Sequence, residues 1–134
     1  MYQITPYLFF AGRCAEALHF YRDSFEADVT SVQYFKDSPQ VIEGAEPHWI
    51  MHAEIDIMGN KLMLSDGVVA KELSGNTIAL SIVLDDLDLQ ARLFDKLVTQ
   101  GRVMMPLADT FWGARFGKVE DQFGIRWMLH CNLV

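Results

Sequence analysis

The side chains best able to do chemistry in this 134-residue chain fall in two short stretches and a few isolated positions. In Met51-His52-Ala53-Glu54-Ile55-Asp56, polar residues alternate with apolar ones. On an extended strand that parity puts His52, Glu54 and Asp56 on one face. An imidazole there can work as a general base or as a hydrogen-bond donor near neutral pH; equally, it can be a histidine that bonds across a sheet. The second stretch, Asp109 to Gly117, sets Phe111, Trp112 and Phe116 around Arg115 and two glycines, Gly113 and Gly117. Planar rings and a guanidinium suit a small anionic or aromatic molecule, with Arg115 gripping a carboxylate or phosphate through two parallel hydrogen bonds. The same residues serve a core or a dimer interface as well, with Arg115 then paired to Asp109 or Glu120.

Tyr7, Met63 and Met128 are adaptable side chains for lining a binding face. His130, two residues past Met128, shares its face, whereas His19 lies opposite the apolar stripe of its helix and His48 lies in a loop. Cys14 and Cys131 have no C-x-x-C partner and no neighbouring base, so both are read as reduced structural thiols. The sequence has no Gly-rich phosphate loop, no G-x-S-x-G and nothing like a nucleotide or S-adenosylmethionine motif.

The elements that must position these residues follow from periodicity. Ile4 to Phe10 reads as a strand that ends at Ala11-Gly12. Cys14, Ala17, Leu18, Tyr21 and Phe25 recur three or four apart, which predicts an amphipathic helix from Cys14 to Phe25. Val29 to Phe35 reads as a strand, and Asp37 to Pro47 as a loop. Trp49 to Ile57 and Lys61 to Ser65 flank the hairpin turn Met58-Gly59-Asn60, and Asp66 to Asn76 is a polar connector. Thr77 to Leu84 reads as a strand, and Asp85 to Asp88 as the acidic start of a helix with the stripe Leu89, Leu93, Phe94, Leu97 and Val98. Arg102 to Leu107 is a short strand with Pro106 at its end. Phe116 to Glu120 and Ile125 to Cys131 then form a second hairpin through Asp121-Gln122-Phe123-Gly124.

The two halves repeat one order: strand, helix, strand, hairpin. Gly59-Asn60-Lys61-Leu62-Met63-Leu64 matches Gly124-Ile125-Arg126-Trp127-Met128-Leu129 as glycine, any residue, basic, apolar, Met, Leu. The matching glycines lie about 65 residues apart, so a β-α-β-β-β unit occurs twice. The expected architecture is α+β: one domain over 1–134 built of two tandem modules that curve a mixed sheet around a shared cleft. The first module covers about 1–66, the connector about 67–76 and the second module about 77–134.

Composition bounds the partners. Eleven Lys+Arg against 18 Asp+Glu leave a net charge of −7, which opposes nucleic acid, whose recognition depends on neutralising phosphates. No apolar run approaches the roughly 20 residues that span a bilayer. The N-terminal residues also lack a charged start followed by an apolar run, so a cytoplasmic location is expected.

The doubled unit, with Phe20-Tyr21 on its first helix, resembles the vicinal oxygen chelate superfamily of glyoxalases, extradiol dioxygenases and bleomycin- and fosfomycin-resistance proteins. Within it the chain is similar to the PhnB-like branch, also called the 3-demethylubiquinone methyltransferase-like domain. The matching strings are Thr5-Pro6-Tyr7-Leu8-Phe9-Phe10 with Gly12 and Cys14, Met51-His52-Ala53-Glu54, Leu64-Ser65-Asp66, Asp109 to Lys118, Asp121 to Gly124 and Trp127-Met128. The resemblance implies a paired β-α-β-β-β fold, a homodimer and, in metal-using relatives, a divalent ion. Carried over position by position, the ion's ligands fall at Thr5 or Pro6, His52, Thr77 and Met128. Of these only His52 is an ordinary donor, with Glu54 as the residual addition, so no metal and no other cofactor is expected.

The expected function is therefore a small-molecule-binding protein without a resident metal, whose ligand, anionic or aromatic, sits in the cleft against Tyr7, His52, Met63, Trp112, Arg115 and Met128. One alternative is a lyase, isomerase or dioxygenase-like enzyme, metal-dependent or acid-base, with His52 as the catalytic candidate. The other is a structural or interaction protein with residues 109–117 as its interface.

Overall fold

A computed structural model describes residues 2–68 and 75–133. Most of the connector expected over 67–76 lies outside the described residues. The chain divides into two units, Met1–Leu73 and Ser74–Val134, and each has one helix and a four-stranded mixed sheet.

In the first unit the order is β1 (Tyr7–Phe9), α1 (Cys14–Phe25), β2 (Asp28–Tyr34), β3 (Ile50–Ile57) and β4 (Asn60–Ser65), with a 3-10 turn at Phe35–Asp37. The strands lie β1-β4-β3-β2, with β1 parallel to β4 and the other pairs antiparallel. β1 and β2 are the two edges, so the helix joining them must cross the sheet, and it covers one face. The alternation of each strand feeds that face with apolar side chains. Ala53 and Ile55 of β3 and Leu62 and Leu64 of β4 are buried with Cys14, Ala17, Leu18 and Tyr21 of α1. Among the described residues of this unit no helix lies on the opposite face.

α1 has no side-chain cap at Arg13. The task falls to Asp66, just past β4 and 2% exposed. Its Oδ1 accepts from the Gly12 and Cys14 amides at 2.7 and 2.8 Å, and its Oδ2 accepts from Ile50 N at 2.8 Å. One carboxylate thus satisfies otherwise orphaned helix-start donors and ties the β1–α1 turn to β3.

The second unit repeats the plan as β5 (Leu80–Leu84), α2 (Leu87–Leu97), β6 (Arg102–Asp109), β7 (Ala114–Glu120) and β8 (Arg126–Asn132), ordered β5-β8-β7-β6. Here the cap is local, since Asp86 Oδ1 accepts from the Asp88 and Leu89 amides. α2 packs Leu93, Phe94 and Leu97 over Val119, Trp127 and Leu129. Gly117 makes room for it: a Cβ there would stand 2.8 Å from Phe94 and 2.9 Å from Leu107.

Several expected bounds need correcting: β1 covers Tyr7–Phe9 rather than Ile4 to Phe10, and β7 starts at Ala114 rather than Phe116. β6 does not stop at Leu107, beside Pro106, but runs to Asp109, with register shifts on either side of Met105. An edge strand with bulges tolerates a residue that cannot donate to a ladder. The strand expected over Thr77 to Leu84 begins only at Leu80, which leaves Thr77 outside the sheet. Both cysteines are buried and unpaired. Burial, reinforced by the Asp66 carboxylate, pushes the Cys14 thiol far above its ordinary range, so its place at a helix start does not activate it.

Candidate functional site

Strand parity decides what the uncovered face of each sheet displays. In the first unit, Tyr7 and Phe9 of β1, His52 and Glu54 of β3, and Lys61 and Met63 of β4 alternate with the buried core residues. Register brings them side by side, because Met63 pairs with Tyr7 on one flank and with Glu54 on the other.

The polar members form a continuous chain. The Tyr7 hydroxyl lies 2.7 Å from His52 Nδ1, His52 Nε2 lies 2.9 Å from Glu54 Oε2, and Lys61 Nζ lies 3.0 Å from Glu54 Oε1. The hydrogen bond from His52, then that from Lys61, holds the Glu54 carboxyl below its ordinary value. Glu54 is thus a carboxylate that only accepts. A ring proton on His52 Nε2 matches that acceptor, and the neutral tautomer that carries it turns the Nδ1 lone pair to the Tyr7 hydroxyl. Burial raises the Tyr7 phenol above its ordinary value, outweighing the opposing hydrogen bond of Ser65, with smaller upward contributions from Cys14 and Glu54. Its proton is held at rest. The ends of the chain are open, with Tyr7 39% exposed and the Lys61 side chain 50% exposed, while the side chains of His52 and Glu54 between them are 24% and 23% exposed. The rings of Tyr7 and Phe9 stack at 4.9 Å beside this chain. Asp56, expected on the same face, turns to the hairpin and accepts from the Gly59 amide at 2.7 Å.

The uncovered face of the second unit carries Phe116, Lys118, Met128 and His130. Trp112 reaches it from the β6–β7 turn, which Gly113 closes at φ +84°. Its Nε1 donates to His130 Nε2 at 3.4 Å, and its ring meets Phe111 and Phe116 at 5.0 and 6.4 Å. Arg115 is not among them. It points to the helix-covered side, where Nε donates to Gln90 Oε1 at 3.1 Å and Nη2 to the Leu87 carbonyl at 2.8 Å. Gln90, fully buried, donates in turn to the carbonyls of Arg115 and Leu129. The expected ligand cation therefore ties α2 to β7 and β8. Its anticipated partners Asp109 and Glu120 are replaced by groups on a helix, and Glu120 instead holds Arg102 and Arg126.

The family model for the Glyoxalase/Bleomycin resistance protein/Dioxygenase superfamily matches residues 3–129. The chain belongs to that superfamily. Among relatives of this glyoxalase-fold chain, Protein YjdN of Escherichia coli (strain K12) is 29% identical over 137 residues, covering 95% of this chain and 93% of its own length. Protein PA1353 from Pseudomonas aeruginosa superposes with a TM-score of 0.87 at 35% identity, over 98% of each chain. The PhnB protein from Bacillus cereus, described as a 3-demethylubiquinone-9 3-methyltransferase, shares the fold at a TM-score of 0.83 and 24% identity, over 97% of this chain and 99% of that one.

Metal-using members of the superfamily raise the question of a divalent ion, and the donors here do not fit one. Both nitrogens of His52 are engaged, by Tyr7 and Glu54, and the second oxygen of Glu54 is engaged by Lys61. Among the described residues no three His, Cys, Asp or Glu side chains come together as a ligand set. A full first shell is what makes such a site. Likewise, no described helix is long and apolar enough to cross a membrane.

Of the residues singled out from the sequence, the first glyoxalase-fold unit brings together Tyr7, His52, Glu54 and Met63. The second gathers Trp112, Met128 and His130 on its own uncovered face. Lys61 was missed, although a signal existed: it and Arg126 are the basic residues of the matched hairpins. Asp66 reads in the sequence as part of Leu64-Ser65-Asp66 and as the start of a polar connector, since nothing local marks a carboxylate that caps a helix 52 positions upstream.

Proposed function

We propose that this protein binds a small anionic or aromatic molecule on the uncovered face of its first sheet, without a resident metal. The observation that carries the reading is the hydrogen-bonded chain Tyr7–His52–Glu54–Lys61 set beside the stacked rings of Tyr7 and Phe9. Apolar lining with a few converging polar groups is what small-molecule sites use. The rings supply flat contact area, Lys61 supplies a cationic donor, and Met63 supplies a side chain that adapts in shape. The ligand is expected to need both the aromatic floor and the polar chain.

A thermal-shift screen of divalent ions against small aromatic acids and phenols tests this. Stabilisation by organic compounds that is lost in Tyr7→Ala and Lys61→Ala supports the reading. Stabilisation by metals that is lost in His52→Ala, with no response to organic ligands, overturns it in favour of the metal-dependent enzyme. The same reading has the protein in the cytoplasm, supported by two unpaired thiols, and self-associating as a homodimer, supported by Phe111 and Trp112 at 97% and 55% exposure. A strict monomer by light scattering would contradict the second point.

A further inference from the structure

We propose that Tyr7, His52 and Glu54 form one proton relay whose working end is the Tyr7 hydroxyl, and that the ligand it serves is a small phenol bound as its anion. The inference rests on the small-molecule reading of this face. Its basis is the order of the hydrogen-bonded groups. Glu54 lies 2.9 Å from His52 Nε2, and in the neutral tautomer protonated there the Nδ1 lone pair faces the Tyr7 hydroxyl at 2.7 Å. Tyr7 is the solvent-reachable end of the three.

A phenol lying on the Tyr7–Phe9 stack brings its own hydroxyl to Tyr7 Oη. Its proton passes to that oxygen as the Tyr7 proton passes to His52 Nδ1. The ligand's O–H bond breaks, a new N–H bond forms and no electrons change hands. The imidazolium produced lies against the Glu54 carboxylate, which stabilises it, and the re-formed Tyr7 O–H holds the ligand oxyanion. The charged and titratable groups around the relay favour this outcome. Lys61 of β4 keeps Glu54 ionised at 3.0 Å, Ser65 of β4 bonds to the Tyr7 side chain, and Cys14 at the start of α1 acts on Tyr7 only at a distance. Asp56 is committed to the Gly59 amide. A network that merely fastened β1, β3 and β4 together would hold the same bonds and move no proton.

The test uses 4-nitrophenol, whose anion alone is coloured, titrated against pH with the full-length protein in excess. Bound to the wild type, its apparent pKa should fall by about one unit or more, a roughly ten-fold preference for the anion. Tyr7→Phe and His52→Gln should bind it with that shift lost, and Glu54→Gln should diminish it. Bound 4-nitrophenol that titrates as it does in free solution, or a shift that survives in both variants, overturns the relay but leaves the binding reading intact. No binding at all, read as unbroadened proton resonances of the probe, overturns the phenol relay, and the thermal-shift screen alone then decides the binding reading. If Tyr7→Phe does not fold, judged by circular dichroism, the wild-type shift and His52→Gln decide alone.

Discussion

Tyr7 and Ser81 hold the same place in their sheets, each on the strand parallel to the last one and each across from a methionine, Met63 or Met128. Register carries the match further. Glu54 and Lys118 flank those methionines on the other side, His52 and Phe116 lie two residues before Glu54 and Lys118, and Lys61 and Arg126 lie two residues before the methionines on the return strands. At every one of these positions the first unit has a member of its hydrogen-bonded chain. The second unit substitutes a small hydroxyl, a cation, a phenyl ring and a guanidinium, and its Arg126 pairs with Glu120 on the neighbouring strand. The covered faces diverge less: each seats a helix on Leu and other buried apolar residues, and the second adds the Arg115–Gln90 pair. The two units thus agree in what packs and differ in what faces out, and a face that carries a Tyr–His–Glu–Lys chain is set apart by chemistry rather than by fold.

If the covered faces are equivalent, equal damage should cost the same. Leu64 and Leu129 are both fully buried at matching positions. Leu64→Ala and Leu129→Ala should each destabilise by about 2–5 kcal/mol in urea unfolding. A cost confined to one unit would break the equivalence.

The helix starts should differ instead. Asp66→Ala leaves three amides without their acceptor and should cost about 3 kcal/mol, whereas Asp86→Ala removes an exposed local cap worth about 1 kcal/mol. Equal losses would mean that the distant carboxylate is no more than an ordinary cap.

Cys14 sharpens the contrast on the alkaline side. Its folded thiol is raised, so the stability it contributes is full below the unfolded value near pH 8.5 and declines as pH rises beyond it, by about 1.4 kcal/mol per unit. Cys14→Ala should flatten that decline, and a thiol reagent should label Cys14 only after unfolding.

Glu54 acts with the opposite sign. Its folded value is lowered, so its contribution is present above the unfolded value near pH 4.3 and is lost as pH falls through the folded one. Acid titration of Glu54→Gln should show a shallower loss than the wild type. An unchanged profile would mean that His52 and Lys61 do not hold the carboxylate as described.

These contrasts also mark how far the sequence could be read. α1 was legible to the residue because its apolar spacing and flanking Gly12 are local signals, and Asp86 could be read as a cap for the same reason. His52 and Glu54 could be placed on one face by parity alone. Arg115 could not be placed correctly, because the groups that bind it, Gln90 and Leu87, lie 25 and 28 positions away and neither is a carboxylate. The Tyr7–His52 bond spans 45 positions between strands that are not adjacent in the sheet, so no local pattern announces it. Pro106 misled because proline ends a strand in most settings but not at a bulged edge.

The claim that the first sheet's open face is the binding site is tested most directly by proton–nitrogen NMR of the full-length protein titrated with 4-nitrophenol. The account predicts shift changes clustered at Tyr7, Phe9, His52, Glu54, Lys61 and Met63, with Ser81, Phe116, Lys118 and Arg126 unmoved. Changes centred on those second-unit positions, with the Tyr7–His52–Glu54 amides still, would contradict it.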